Sequence, residues 1–371
     1  SSPMSLLREI VLMRGIRTSI CRYLENACNS ALSEDVSSYS QQLLILESAD
    51  QTGIIVIFPM PSSFVYNQEN YYKLYDIISI AAWPDYTCPR PNAMQIANID
   101  GRSLSTARGF FFPWQKGHSE RLTGSVDSIL KQVDLDQGLP LMTHLVLPPN
   151  INSIIVSGNT GSGKSLAVQA ISEFLLHTPN TRLIYIDPKK SAGARWARGH
   201  PEVKLVIPQD GERLEEYLIR VTELLSVEVR RIFKNQDTLY KNSNKIDTNA
   251  QEINQPKTWI ILEELEALEA FGTKKELDSL FHQILLICLL GREAYTNILI
   301  SMQVPRNDIL PIPIRSQLLC RIQLGRIDKS TTTYLFPDLD HIMMPFRGPG
   351  VGICDINSGG VQPIAMPTII Y

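Results

Sequence analysis

From about residue 150 onward, short apolar runs alternate with amphipathic segments. This alternation is typical of βαβ units, in which helices join parallel strands and cover the sheet. Apolar residues recur three and four positions apart over 214–225 and 277–285, which predicts two amphipathic helices. The strand-like runs are 153–157, 182–187, 204–207, 258–263, 297–302, 317–323 and 350–355. The pattern predicts an α/β domain with a mostly parallel sheet.

The first hundred residues carry a different pattern. Mixed helical spacing over 6–28 predicts a helix with a charged face, and the β-rich runs 42–47 and 53–58 predict an antiparallel hairpin. Apolar positions three and four apart over 71–78 predict a second helix that ends near Pro84. We therefore expect a small α/β domain over 1–100.

Two stretches lack a clear period. Residues 101–145 are rich in Gly, Pro and polar residues, and we expect a hinge or linker before a main domain at 146–371. The aromatic cluster at 110–114 lies near Lys116 and Arg121, so it either packs between the domains or stacks on nucleic-acid bases, and packing is favoured. The polar residues 235–257 predict a long loop.

Composition limits the class of protein. The chain has 371 residues, 44% of them hydrophobic, with 35 Lys plus Arg against 38 Asp plus Glu and a formal net charge of −3. These values exclude a disordered protein, and the charge gives no sign of nucleic-acid binding. The longest apolar run has seven residues, 284–290, whereas a membrane-spanning helix needs about 20.

Cysteine spacing argues against a zinc site and against a disulfide scaffold. There is no CxxC pair and no Cys/His cluster, so we expect buried thiols in a reducing compartment. The six cysteines are Cys21, Cys28, Cys88, Cys288, Cys320 and Cys354.

A glycine-rich segment follows the first strand of the main domain. Residues 158–165 read GNTGSGKS and match the phosphate-loop pattern GxxxxGK[ST] between a predicted strand and a predicted helix; a chance Gly/Ser turn is the alternative. Lys164 is predicted to reach the β and γ phosphates of a nucleotide, and Ser165 to offer its hydroxyl to Mg²⁺. The predicted nucleotide-binding residues are Gly158, Asn159, Thr160, Gly161, Ser162, Gly163, Lys164 and Ser165.

Two carboxylates end the strand-like run 258–263. Hydrolysis needs a carboxylate for the metal and a base that orients water, so Glu263 is assigned to the Mg²⁺ shell and Glu264 to the attacking water. The alternative is a solvated helix start, because Glu266 and Glu269 follow on the same polar face.

Two polar residues flank the run 297–302. Gln303 follows it, at the edge where ligands gather in a parallel sheet, and either contacts the γ phosphate or water or is an ordinary loop glutamine. Arg292 precedes it and is interpreted as an arginine finger for a neighbour's nucleotide, with a surface arginine as the alternative.

Five segments together resemble the FtsK/SpoIIIE/HerA family of DNA-pumping motors. They are GNTGSGKS (158–165), LIYIDPKK (183–190), WIILEELEAL (259–268), LLGREAYTNILISMQVP (289–305) and LLCRIQLGRID (318–328). The resemblance begins near residue 140, and segment 346–360 resembles the closing hairpin of the group. It implies a RecA-like (ASCE) P-loop NTPase domain with a mostly parallel sheet, preceded by the small α/β domain.

The resemblance implies roles for single residues. The matches are Lys164 and Ser165 to the nucleotide and metal contacts, Glu263 and Glu264 to the Walker B pair, Gln303 to the sensor glutamine, and Arg292 to the arginine that acts in trans. Asp187 and Lys189 match the DPK element near the nucleotide and subunit interface, although a strand-ending Asp-Pro turn is also compatible. Glu263 replaces the family's aspartate and Ser301-Met302 replaces the usual residues before the glutamine, so slow turnover is expected.

The implied function is an ATPase, with ATP and Mg²⁺ as cofactors, that moves DNA through a homo-hexameric ring by backbone contacts. The expected DNA-contacting segments are 235–257, with Lys241 and Lys245, and 306–315. The sequence ends without the family's winged-helix module, which favours a coupling protein of a conjugative or mobile element, in the cytoplasm and near the membrane, with a relaxase or transfer-apparatus partner. The alternatives are a nucleotide-gated scaffold, favoured by Glu263, and a protein-export ATPase.

Overall fold

The structure is a computed structural model that describes residues 10–32, 43–59, 66–117, 120–339 and 348–371. Contacts divide these residues into two units. The first takes the described residues of 1–119, 338–344 and 359–363, and the second takes those of 120–337, 345–358 and 364–371. The boundaries predicted at 100 and 145 stay a prediction.

Short strands open the first unit. Its elements are β1 (Ile10–Met13), β2 (Gly15–Ile16), α1 (Ser19–Leu32), β3 (Leu44–Ser48), β4 (Gly53–Ile57), α2 (Gln68–Ala82), β5 (Tyr86–Thr87), β6 (Ile96–Ile99), β7 (Arg108–Pro113) and β8 (Gln115–Lys116). The helix predicted over 6–28 is wrong at residues 10–16, because the apolar run of β1 pairs in parallel with β6; residues 6–9 lie outside the described residues. The β3–β4 hairpin and the helix α2 confirm their predictions.

Six strands form the main sheet of the first unit, in the order β1-β6-β7-β4-β3-β2. Successive side chains of a strand point to opposite faces, so Ile54 and Val56 of β4 join the core beneath α1 and α2 while Ile55 and Ile57 join a smaller cluster on the other face. This two-sided burial explains why β4 is apolar at every position after Gly53.

The aromatic cluster of 110–114 packs inside this unit. Phe110 and Phe112 are fully buried on the helix side of β7, and Tyr71 of α2 stacks on Phe112 with 4.5 Å between ring centroids. The Tyr71 hydroxyl donates to the backbone oxygen of Phe111 at 2.7 Å. The aromatic side chains therefore serve packing, as favoured, but in the core of their own unit.

The remaining elements begin at Thr123 and end at Ile369. They are β9 (Thr123–Gly124), α3 (Val126–Leu130), β10 (Leu139–Met142), β11 (Leu145–Leu147), β12 (Ser153–Ser157), α4 (Lys164–Leu176), β13 (Thr181–Ile186), α5 (Ala192–Arg198), β14 (Lys204–Val206), α6 (Leu214–Asn242), β15 (Lys257–Leu262), α7 (Leu265–Glu269), α8 (Lys274–Leu290), β16 (Thr296–Met302), α9 (Ile312–Gln317), β17 (Cys320–Leu324), α10 (Lys329–Thr332), β18 (Val351–Ile356), β19 (Val361–Ala365) and β20 (Thr368–Ile369). Each strand-like run predicted after residue 150 forms a strand.

The sheet of the second unit places three strand ends together. Its strands run in the order β14-β13-β15-β16-β12-β17-β18, parallel as far as β17 and antiparallel at β18. The α/β class is thus confirmed, and the sheet is mixed. The strand β16 lies between β12 and β15. Near the carboxyl ends of these three strands, Ser157 pairs with Met302 and Leu262 pairs with Ile300. The carboxyl ends of these strands carry the candidate site.

The long loop predicted over 235–257 is wrong for its first part, since α6 continues to Asn242. Asn235 donates from Nδ2 to the backbone oxygen of Ala294 at 3.2 Å, and Leu239 is buried, so one face of the helix stays packed to its end. A 3-10 turn at Ala250–Ile253 then precedes β15. Most polar residues of this helical part lie on the exposed face, and the buried face includes the polar Asn235, which hid the helical period.

The other predictions about the chain have mixed outcomes. All six cysteines are free and buried, as predicted. Among the described residues, no helix is both long and apolar enough to span a bilayer. Of the predicted closing hairpin at 346–360, residues 346 and 347 lie outside the described residues, and the rest contains β18.

We predict that Phe112→Ala destabilises the first unit by about 3–5 kcal/mol, because it leaves a cavity beneath Tyr71. The control is Phe233→Ala on α6, where the side chain is 50% exposed and the expected cost is within about 0.5 kcal/mol. Urea unfolding followed by circular dichroism measures both. Equal losses in the two variants would contradict the assignment of Phe112 to the core.

Candidate nucleotide-binding and hydrolysis site

The phosphate loop connects β12 to α4, and a turn from a distant part of the chain holds it in place. Gly163 has φ +87°, and a Cβ atom there would lie 2.2 Å from the backbone nitrogen of Gly350, so this position requires glycine. The Gly350 N–H donates to the Ser162 backbone oxygen at 2.7 Å. The turn before β18 therefore supports the loop in a shape that leaves the start of α4 open to an anion.

Arg121 fixes that supporting turn. Its guanidinium donates to the Pro349 backbone oxygen at 2.7 Å and to the Thr368 hydroxyl at 3.1 Å. Arg121 could not be assigned to the site from the sequence, because its two partners lie more than 200 residues further along the chain.

Lys164 is buried at the centre of the site, with 6% of its side chain exposed. Its Nζ donates to Glu264 Oε1 at 2.6 Å and to the Ser301 hydroxyl at 3.2 Å. The ion pair joins the phosphate loop to the end of β15, and Ser301 of β16 contributes the second contact of Lys164. Sequence reasoning treated Ser301 only as a departure from the family pattern.

Glu264 has a strained backbone and a fully engaged carboxylate. It precedes α7 with φ +52°, an uncommon conformation for a residue with a side chain. Its Oε2 accepts from Lys189 Nζ at 3.0 Å, so a lysine binds each carboxylate oxygen. Burial raises the pKa of this carboxyl, but hydrogen bonds with Lys164, Glu266 and Lys189 and the charge of Lys164 lower it to about 2, so Glu264 is ionised at neutral pH.

Glu263 lies deeper, with 2% exposure, and depends on Tyr185. The Tyr185 hydroxyl of β13 donates to Glu263 Oε1 at 2.7 Å. Burial raises the pKa of Glu263, whereas the bond from Tyr185 and the charge of Lys164 oppose that rise. Tyr185 escaped the sequence analysis because an apolar strand gives no sign of which hydroxyl meets a carboxylate.

Gln303 lies at the end of β16, between the phosphate loop and Glu264. Its N–H donates to Glu266 Oε1 at 3.0 Å and its backbone oxygen accepts from the Ser157 hydroxyl at 2.9 Å, which leaves its exposed side chain available to a ligand. The solvated-helix alternative does not hold for Glu266. Burial and a hydrogen bond with Glu264 raise the pKa of Glu266 to about 7.

Asp187 and Lys189 of the DPK element make different kinds of contact. The Asp187 carboxylate is fully buried and accepts from the N–H groups of Lys189, Ser191 and Ala194 at 2.8–3.2 Å. The Asp187 carboxylate therefore stabilises the turn, as the interpretation of a strand-ending Asp-Pro turn expects. Lys189 extends from this turn to Glu264.

Arg292 is not brought to this site. It is exposed in the turn between α8 and β16, at the other end of β16 from Gln303. A seven-residue strand spans about 20 Å, so Arg292 lies at the opposite edge of the sheet from the phosphate loop. Action in trans remains a prediction.

The candidate site offers two protein oxygen ligands for Mg²⁺. The described residues contain no group of three or more His, Cys, Asp or Glu that could hold a metal ion. Mg²⁺ commonly takes one or two protein oxygens and fills its shell with phosphate and water oxygens. The exposed hydroxyl of Ser165 and the carboxylate of Glu263 are oxygen ligands of that kind.

We predict that Tyr185→Phe destabilises the protein by about 1–3 kcal/mol and that this cost grows with pH. Losing the Tyr185 donor raises the pKa of Glu263 further above its ordinary 4.5. The loss of stability is therefore small at low pH, where Glu263 is protonated in wild type and variant alike. It grows as the pH rises through the pKa that Glu263 has in the folded wild type.

Urea unfolding at about pH 4 and about pH 8 measures the effect of Tyr185→Phe. Tyr217→Phe is the matched control, because Tyr217 is equally buried but donates to the uncharged backbone oxygen of Val206 at 3.0 Å. A pH-independent cost at Tyr185 would count against its bond to the ionised carboxylate.

Comparisons with known proteins find the fold but no sequence relative. No family model matches the sequence, and no curated protein matches it. Among solved structures, the pCW3 conjugation coupling protein TcpA, in its monomer form with ATPγS, aligns over 94% of this chain and 95% of its own, with a TM-score of 0.54 and 14% identity.

Two other structures match the chain in part. The cytoplasmic domain of the type VII secretion ATPase EccC of Thermomonospora curvata aligns with 59% of this chain and 25% of its own, with a TM-score of 0.46 and 20% identity. The genome packaging NTPase B204 of Sulfolobus turreted icosahedral virus 2 aligns over 60% and 98%, with a TM-score of 0.36 and 12% identity. The whole-chain match to TcpA shows that this chain has the fold of a P-loop ATPase, in agreement with the resemblance stated above.

Proposed function

We propose that this chain is an ATP-hydrolysing coupling protein that moves DNA through a homo-hexameric ring in conjugative or mobile-element transfer. The observation that carries the proposal is the meeting of Lys164, Glu264 and Gln303 at the carboxyl ends of three adjacent strands. The fold shared with TcpA over nearly the whole chain supports the coupling role. A relaxase or a component of the transfer apparatus would deliver the DNA.

Nucleotide binding would use the phosphate loop and its neighbours. Residues 158–165 surround the phosphates, and Lys164 exchanges the carboxylate of Glu264 for a phosphate oxygen. Ser165 and Glu263 would hold Mg²⁺, which neutralises phosphate charge when bound. Glu263 is buried and bonded to Tyr185, so its position is fixed before the nucleotide arrives.

Hydrolysis would depend on Glu264 and Gln303. Once Lys164 binds phosphate, the ionised Glu264 is free to orient a water molecule and to accept its proton. The water oxygen bonds to the γ phosphorus while the bond to the bridging oxygen of ADP breaks, which gives ADP and phosphate. The exposed side chain of Gln303 lies where it can contact that water or the γ phosphate.

The two segments expected to contact DNA lie at opposite edges of the sheet. Residues 306–315 begin three positions after Gln303, whereas residues 243–256, the part of the expected segment 235–257 that lies between α6 and β15, come before the first residue of β15, at the opposite end of that strand from Glu264. Among the described residues, the Arg306 side chain pairs with the exposed Asp308 alone, at 3.2 Å, so it can exchange that partner for a DNA phosphate. Arg315 instead donates to Pro305 and Asn307, which makes it part of the loop's structure. Lys241 and Lys245 of the other segment likewise pair with acidic residues, Asp237 at 2.7 Å and Glu252 at 3.4 Å. We therefore favour the segment next to Gln303 for its position beside the site alone.

We predict ATP turnover that duplex DNA stimulates and that two substitutions abolish by different routes. Lys164→Ala removes the phosphate contact and loses ATP binding, whereas Glu264→Gln keeps ATP binding and lowers kcat by about 100-fold or more. The exposed Lys190, outside the site, supplies the control Lys190→Ala, which should match wild type.

Steady-state ATPase rates and ATPγS binding, each with and without DNA, distinguish the candidate functions. Binding without turnover in the wild-type chain would support the nucleotide-gated scaffold instead. Turnover that ignores DNA but rises with a protein cargo would support the export ATPase.

We predict that Arg292 acts on a neighbour's nucleotide, because it lies far from the site of its own subunit. Arg292→Ala and Lys164→Ala should each be inactive alone, yet a mixture should regain part of the activity, since the arginine of one variant completes the intact site of the other. Mixing Arg326→Ala, which changes another exposed arginine, with Lys164→Ala measures dilution alone. A mixture of Arg292→Ala and Lys164→Ala that is no more active than either variant alone would contradict the role in trans.

A further inference from the structure

Two lysines of different character share the carboxylate of Glu264. Lys164 Nζ lies 2.6 Å from Oε1 and Lys189 Nζ lies 3.0 Å from Oε2. The Lys164 side chain is 6% exposed, whereas that of Lys189 is 48% exposed. One buried and one accessible cation thus hold the same anion.

In the proposed function a bound nucleotide takes over Lys164, and only the contact of Lys189 with Glu264 persists. The phosphates need Lys164, so Glu264 loses its shortest hydrogen bond at the moment when an anionic group arrives beside it. Two anions at close range in a partly buried site repel each other, and without a cation of its own Glu264 would be pushed away from the reaction. Lys189 is the remaining cation in contact with it.

The turn that carries Lys189 directs its side chain toward Glu264. Asp187 accepts from the backbone N–H of Lys189 at 3.0 Å and from the Ser191 hydroxyl at 2.6 Å, which fixes the turn at both ends. Lys190 has φ +51°, and its Nζ lies 3.9 Å from the exposed Asp210, away from Glu264. Adjacent lysines with the same 48% exposure therefore have different partners.

We propose that Lys189 is a positioning residue, which keeps the Glu264 carboxylate at the reaction site after the nucleotide has taken Lys164 from it. The inference rests on the proposed function, in which Glu264 orients the attacking water. Because Lys189 contacts the carboxylate and not the phosphate loop, its removal should affect the chemical step and leave nucleotide binding unchanged.

The test compares Lys189→Met, Lys189→Arg and Lys190→Met in the full chain. For Lys189→Met we expect kcat to fall about tenfold, while KM and the dissociation constant of a fluorescent ATPγS analogue stay within about twofold of wild type. Lys189→Arg keeps the cation and should recover most of kcat. Lys190→Met, equal in exposure and chemistry, should match wild type in every measurement.

Three results would overturn the inference. A weaker affinity for the analogue with unchanged kcat would show that Lys189 binds the nucleotide itself. Equal behaviour of Lys189→Met and Lys190→Met would show no special role, and failure of Lys189→Arg to recover activity would show that the charge is not what matters. If wild type lacks turnover, the proposed function fails and this inference fails with it, whereas normal turnover in Lys189→Met defeats the inference alone.

Discussion

The ion pair between Lys164 and Glu264 is the interaction on which the second unit's site depends. It connects the first turn of α4 to the end of β15 across β16, so the loop, the acidic strand end and Gln303 are fixed relative to one another. Glu264 accepts a positive φ to make this contact, and strain of that kind persists only where surrounding contacts maintain it. The lysines on both sides of its carboxylate are those contacts.

Three carboxyl groups within four residues have different pKa shifts because their surroundings differ. Burial raises the pKa of Glu263, hydrogen bonds with two lysines and with Glu266 lower that of Glu264, and burial beside Glu264 raises that of Glu266 to about 7. Neighbouring acids whose environments separate their pKa values can take separate roles. Glu264 is the member bonded to the lysine of the phosphate loop, which is why the proposed function gives it the role of orienting water.

The sequence was informative where the cause of structure is local. Loop 158–165 and the strands around it were predictable, because glycine placement and apolar runs act over a few residues. The strand β1 and the last turns of α6 were not, since β6 and Ala294 determine them from far along the chain. Tyr185 and Gly350 were missed for the same reason: each matters through one contact that only the folded chain creates.

Burial also explains why a net charge of −3 says little about DNA. Four of the counted carboxylates are almost completely enclosed in the second unit, namely Glu173, Asp187, Glu228 and Glu263. They act on their neighbours and add little to the field at the surface, where exposed cations such as Arg306 have only exposed partners. Exposed ion pairs contribute little, so a phosphate backbone can displace such partners at low salt and loses the advantage at high salt. A near-neutral chain is therefore compatible with contact to DNA through a few accessible cations per subunit.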